Sequence, residues 1–130
     1  MVPYDSLSVR RKLAIGVFVL ALIVVAVLLL MPAASLPPTD VWDKLEHAGV
    51  FAGLALLGLI AFPKRTSIGW LTVGLIGFGS VCELLQSVTG RDASVEDAIA
   101  NAIGVLIVTG LWRLSTSRFP GLLPTTEYEK

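Results

Sequence analysis

Leu13-Ala14-Ile15-Gly16-Val17-Phe18-Val19-Leu20-Ala21-Leu22-Ile23-Val24-Val25-Ala26-Val27-Leu28-Leu29-Leu30-Met31 is a run of nineteen residues without a charge, bounded by Arg10, Arg11 and Lys12 before it and by Pro32 after it. As a helix, such a stretch is long and apolar enough to cross the roughly 30 Å hydrocarbon core of a bilayer. The small residues Ala33, Ala34 and Ser35 give it the look of a secretory signal, but the apolar run is longer than a cleavable one. It therefore reads as an uncleaved first span. The rest of the chain agrees with it: of 130 residues, 55% are hydrophobic and 15% charged, and the mean hydropathy is +0.80. An average soluble domain carries about 25% charged residues.

Three further apolar blocks follow. Ala48 to Phe62 holds only fifteen residues, too few at about 1.5 Å per residue, and extending the helix back to Val41 repairs the length. Ala98 to Trp112 is equally short, and Ser94-Val95-Glu96-Asp97 before it fits a capping box that starts the helix earlier. Between them, Ile68 to Thr89 is full length and contains Glu83 and Gln86, with Gly90 placed as a C-terminal stop. The connections Pro63-Lys64-Arg65-Thr66-Ser67 and Gly90-Arg91-Asp92-Ala93 are short, which makes these neighbours antiparallel hairpins. The sequence thus predicts one all-α domain over 1–130, an integral membrane four-helix bundle with spans at about 13–31, 41–62, 68–89 and 95–113. The tail from Arg118 to Lys130, with Pro120, Gly121 and Pro124, reads as a loose terminus.

Charge gives the direction. With both termini cytoplasmic, the inner set is Arg10, Arg11, Lys12, Lys64, Arg65, Arg113, Arg118 and Lys130, against Lys44 and Arg91 outside. Cytoplasmic loops hold the Lys and Arg excess, so the count favours N-in and C-in. Trp42, Trp70 and Trp112 fall at span ends, where interfacial aromatics belong. Ten basic and ten acidic residues leave no net charge, which speaks against nucleic acid as a partner. One cysteine, Cys82, and one histidine, His47, exclude a disulfide scaffold and the usual zinc-ligand spacing. From sequence alone no cofactor and no metal is called for.

The acidic residues gather on the other side: Asp40, Asp43, Glu46, Asp92, Glu96 and Asp97 lie in or beside the outer loops. Asp43, Lys44 and His47 share a stripe of helix 2, with Phe51 one turn deeper. Glu83 and Gln86 are three apart on helix 3; Asp97 and Asn101 are four apart on helix 4, above Gly104. Alternating helix directions bring these segments to one membrane depth, so a single interhelical polar cluster is expected. Glu83 carries the strongest signal, about six residues or roughly 9 Å inside the predicted helix end. An ionised carboxylate at that depth costs about 3 kcal/mol or more unless it is paired, hydrated or protonated.

Each residue also has a plainer reading. Glu83 with His47 is an acid/base couple, a proton site or a metal-ligand pair, or else interhelical glue. His47 alone is also an interfacial helix-end histidine, and Asp97 also the acidic member of the Ser94 cap. Gln86 and Asn101 more often lock helix contacts than do chemistry. Arg91 is a headgroup anchor, a countercharge to the acids, or a grip on an anionic ligand. Cys82 is a small apolar filler, and Gly49, Gly53, Gly74, Gly77 and Gly79 read mostly as points of close helix approach.

The combined pattern Asp43-Lys44-x-x-His47-x-x-x-Phe51, Glu83-x-x-Gln86, Arg91 and Asp97-x-x-x-Asn101-x-x-Gly104 resembles the VanZ-like membrane protein family over residues 43–104. It departs at Val108, where family members often have a second small residue. The resemblance implies a multi-pass protein of the bacterial cytoplasmic membrane and cell envelope, related to an accessory protein that lowers susceptibility to teicoplanin. It places the family motif on Asp43, Lys44, His47, Glu83, Gln86, Arg91, Asp97 and Asn101. Three functions then compete. The first is a non-enzymatic pocket for a lipid-linked cell-wall component or a glycopeptide, with Arg91 and Lys44 gripping anionic groups. The second is a membrane enzyme using Glu83, His47 and Asp97 as acid-base groups or metal ligands on a lipid head group. The third is a structural scaffold.

Overall fold

The computed structural model describes residues 4–32, 42–90 and 93–119, and among them every regular element is a helix. The helices are α1 (Tyr4–Leu30), α2 (Trp42–Ala61), α3 (Arg65–Gln86) and α4 (Val95–Arg118). All four are long and apolar enough to cross a membrane. Asp40, Arg91, Asp92 and the tail from Pro120 lie outside the described residues, as does Val41.

The ends of the helices follow from local chemistry. α4 starts where the sequence places it, because Ser94 stands extended at its N-cap and its side-chain oxygen accepts the Asp97 N–H at 3.3 Å. α2 starts at Trp42, which restores a span of 20 residues, or about 30 Å. α3 differs from expectation at both ends, beginning at Arg65 and stopping at Gln86. Beyond Gln86 the chain tightens, Val88 and Thr89 donating to the carbonyls of Leu85 and Gln86, until Gly90 takes a left-handed φ of 78°. Glu83 therefore lies three residues, about 4.5 Å, from the helix end rather than six. α1 begins at Tyr4, ahead of the basic residues, and α4 runs on past residue 113 to Arg118.

Burial runs opposite to that of a water-soluble bundle. Val17, Leu20, Val24 and Val27 of α1, Val73 and Leu84 of α3, and Ile103, Leu106 and Leu111 of α4 are exposed, while His47, Glu83, Gln86, Asp97, Asn101, Thr109 and Thr116 are buried. An apolar exterior around a partly polar interior suits hydrocarbon as the solvent. Hydroxyls inside the spans turn back onto their own helices: Thr72, Thr109 and Thr116 donate to the carbonyls four residues earlier.

Each buried stripe follows helical spacing. On α3 it is Ile68, Leu75, Gly79, Cys82, Glu83 and Gln86; on α4 it is Asp97, Ala100, Asn101, Gly104, Val105, Thr109 and Thr116. α1 lays Ala14, Ile15, Phe18, Ala21, Leu22, Val25 and Leu29 against α2 and α3, and not against α4. Its Phe18 meets Phe62 edge-to-face, with ring centroids 5.9 Å apart. The tightest crossing is α2 with α4 at Gly104, where an added Cβ would sit 2.1 Å from the Ala48 carbonyl oxygen. In lipid, where helix association gains nothing from expelling water, such backbone approach is what packing rests on. The glycine reading needs correction elsewhere. Gly79 does lie at a close contact, but a Cβ at Gly49, Gly53, Gly74 or Gly77 would meet nothing within 4 Å, so these four do not mediate helix approach.

Candidate functional site

The polar ends of the stripes converge where α2 and α4 begin and α3 ends. His47, in the second turn of α2, is only 6% exposed. Its Nδ1 lies 3.1 Å from Asn101 Oδ1 on α4 and 3.6 Å from Glu83 Oε1 on α3. Both neighbours are acceptors, so Nδ1 carries a proton and donates to Asn101. That leaves Nε2 facing outward along the bundle, 3.8 Å from Asp43 Oδ1 one turn earlier on its own helix. Asp97, the next turn up from Asn101 on α4, completes the group: one donor atom from each of Asp43, His47 and Asp97 lies within 4.8 Å of the other two.

Phe51 forms the floor. It is fully buried one turn below His47, and its ring edge lies against the bare Cα of Gly79, where a Cβ would stand 2.9 Å from the ring and 3.2 Å from Asn101 Nδ2. Gly79, one turn from Glu83, thus makes room for the ring and the amide together. Glycine's place as part of the site is not visible in spacing alone, although its position four residues before Glu83 puts it on the right stripe. Asn101 Nδ2, held in this slot, has no hydrogen-bond partner among the described residues.

Two described residues of the expected cluster, Lys44 and Gln86, turn elsewhere. Lys44 points to the far side of α2, where it pairs with Glu96 of α4 at the mouth of a groove of about 730 Å³ lined by Leu45, Ala48, Ile99, Ala100 and Ile103. Gln86 is buried but directed at α1, its Nε2 donating to the Leu29 carbonyl at 2.8 Å. That bond supplies a donor to the last turn of α1, whose carbonyls lack helical partners. Arg91 lies outside the described residues. Asp97 has a double role: its backbone N–H completes the Ser94 cap while its carboxylate belongs to the His47 group. Cys82 is buried on the α3 stripe, in keeping with a small filler. Trp70 is 82% exposed near the start of α3, as an interfacial anchor should be.

The Lys44 and Glu96 side chains are 50% and 70% exposed, and such pairs contribute at most about 1 kcal/mol. Lys44→Ala is expected to shift the unfolding free energy in detergent by less than that, with no change at the His47 ring. A loss of the His47 environment in this variant would place Lys44 back in the cluster.

Comparison with protein-family models, with curated proteins and with solved structures found no match to the chain.

Proposed function

We propose that the chain is a VanZ-like protein of the bacterial cell envelope that engages a lipid-linked cell-wall component or a glycopeptide-type ligand at the membrane surface, and so influences susceptibility to envelope antibiotics. The supporting observation is the buried His47 imidazole, hydrogen-bonded at Nδ1 to Asn101, flanked there by Glu83, with Nε2 toward Asp43 and Asp97 completing the group. Buried ionisable groups at membrane depth are costly and are kept where they serve a function. With N-in and C-in orientation, supported by the Lys and Arg count, this end of the bundle faces away from the cytoplasm. The resemblance over residues 43–104 adds the envelope role.

One observation favours the enzyme reading. Lys44 is turned away to Glu96, so the anion-gripping role first given to it loses its place, while His47 beside Glu83 keeps the arrangement of an acid-base pair. The working end is then a histidine-carboxylate centre acting on a lipid head group, with Glu83 and Asp97 setting the state of His47.

The test is a cell-based series of conservative variants, His47→Gln, Glu83→Gln, Asp97→Asn and Arg91→Gln, with Lys44→Ala as the contrast. Membrane abundance is scored beside susceptibility to teicoplanin and other envelope-active compounds. The expected result is retained abundance with loss of the same phenotype in all four and retention in Lys44→Ala. Disappearance of all the variants from the membrane would reduce the cluster to packing.

A further inference from the structure

We propose that Asp43, His47 and Asp97 bind a divalent transition-metal ion, with Asn101 and Glu83 holding the histidine in its ligating form. The proposal rests on the reading that the His47 end is the working end, and names the cofactor that it holds.

The first observation is the ligand set itself. It comes from two helices: a carboxylate and an imidazole one turn apart on α2, and a carboxylate on the first turn of α4, with donor atoms within 4.8 Å of one another. Two donors each about 2 Å from one ion stand at most about 4 Å apart, so side-chain adjustments of about 1 Å close the set. The α2–α4 crossing at Gly104 against Ala48 fixes the two helices that carry these ligands.

Two buried groups point independently to an occupant. His47 is 6% exposed, and its Nε2 is 3.8 Å from Asp43 Oδ1, beyond hydrogen-bond length. Asp97 is 8% exposed, and its carboxylate makes no hydrogen bond among the described residues, the bonds to Ser94 being made by its backbone N–H. A mostly buried carboxylate without a hydrogen-bond donor, within 4.8 Å of a buried imidazole and a second carboxylate, is an arrangement that a cation satisfies.

The third observation lies behind the ring. Metal-binding histidines characteristically donate their other N–H to a carboxylate or carbonyl, which fixes the tautomer and raises the basicity of the ligating nitrogen. Asn101 Oδ1, 3.1 Å from Nδ1, supplies the acceptor, and the Glu83 carboxylate stands beside the same nitrogen at 3.6 Å. A mixed imidazole and carboxylate set suits Zn²⁺ or Mn²⁺ better than Ca²⁺ or Mg²⁺. Three protein ligands leave a coordination position open, and partly exposed Asp43 lies on the solvent side of the group. An anionic oxygen of a lipid head group is what the open position would accept.

The experiment is titration of the full-length protein in detergent micelles, first stripped with chelator, with Zn²⁺ alone and with Mn²⁺ alone, followed by calorimetry and by metal content after dialysis. One ion per chain is expected. His47→Gln and Asp97→Asn should each weaken binding by about 100-fold or more, Asp43→Asn by about 10-fold or more, and Asn101→Leu, which removes no ligand but frees the His47 ring, by about 10- to 100-fold. Glu96→Gln should bind as the parent does. Melting curves of the metal-free variants separate misfolding from ligand loss, and Asp43→Asn, at the exposed edge, serves where the buried variants do not fold. Failure of the parent to bind either ion, or binding unchanged in Asp43→Asn and Asp97→Asn, overturns the proposal. If the ion binds as expected while the cell phenotype survives in Asp97→Asn, the metal site stands and the functional reading falls. If the phenotype is lost but no ion binds, the reverse holds.

Discussion

Gly104→Ala is expected to remove most of the folded protein from the membrane. The added methyl group would meet the Ala48 carbonyl oxygen at 2.1 Å and its carbon at 2.9 Å, both backbone atoms of α2 that cannot rotate away. Relief requires α2 and α4 to separate, which disturbs Val105 and the Asn101–His47 bond on the same faces. Overpacking a tight core commonly costs about 1–3 kcal/mol, and a backbone-to-backbone clash belongs at or above the top of that range. Gly74→Ala is the matched control. A Cβ there meets nothing within 4 Å, and replacing glycine inside a helix is favourable by about 0.5–1 kcal/mol. Abundance and thermal melting in detergent therefore should move in opposite directions for the two variants. Equal behaviour would mean that α2 and α4 are not in backbone contact.

The second large effect concerns the polar centre. His47→Leu and Glu83→Leu each remove one member of a pair that is 6% and 5% exposed. The group left behind keeps its desolvation cost while losing this interaction, a loss of about 3 kcal/mol for buried pairs. The double variant His47→Leu/Glu83→Leu replaces the pair with apolar groups of similar bulk, and is expected to lose less than the sum of the two single losses, lying about 1–3 kcal/mol below the parent because the buried Asn101 amide is left without its His47 donor. It should nonetheless lack the cell phenotype. Simple addition of the two single losses would show that the residues do not interact. Phenotype surviving in the recovered double variant would show that the centre serves packing alone.

Much of the fold is legible in the sequence because length and hydropathy are strong signals in a membrane. The fifteen-residue blocks on α2 and α4 are too short by themselves, and that shortage forces Asp43, His47 and Asp97 into the helices. The convergence of His47, Glu83, Asp97 and Asn101 then follows from alternating helix direction and spacing.

Other features are hidden for physical reasons. α1 is apolar all round, so its packed stripe at Phe18, Leu22 and Val25 has the same chemistry as its lipid face at Leu20 and Val24. Lys44 and His47 are three residues apart and share a stripe on spacing, yet the angle between them is enough for Lys44 to reach Glu96 on the other side of the α2–α4 seam. Gln86 stands three residues after Glu83, but the last turn of α1 offers a carbonyl there, and the amide goes to it. Glycines are uninformative singly, since an absent side chain looks the same facing a helix or facing lipid: Gly79 and Gly104 are contact points, whereas Gly49 and Gly77 are open. Asp97 joins Asp43 and His47 from a different helix, so only the Asp43–His47 part of the group shows as a short spacing.

His47 is the only histidine in the chain, which makes its ring directly readable. The most direct measurement is a nitrogen NMR spectrum of metal-free protein labelled at the histidine ring, in detergent at mildly alkaline pH. The expected result is a proton on Nδ1, a bare Nε2, and a shifted Nδ1 resonance in both Asn101→Leu and Glu83→Gln. A proton on Nε2 alone, or a ring indifferent to both substitutions, would contradict a centre built by α2, α3 and α4 around His47.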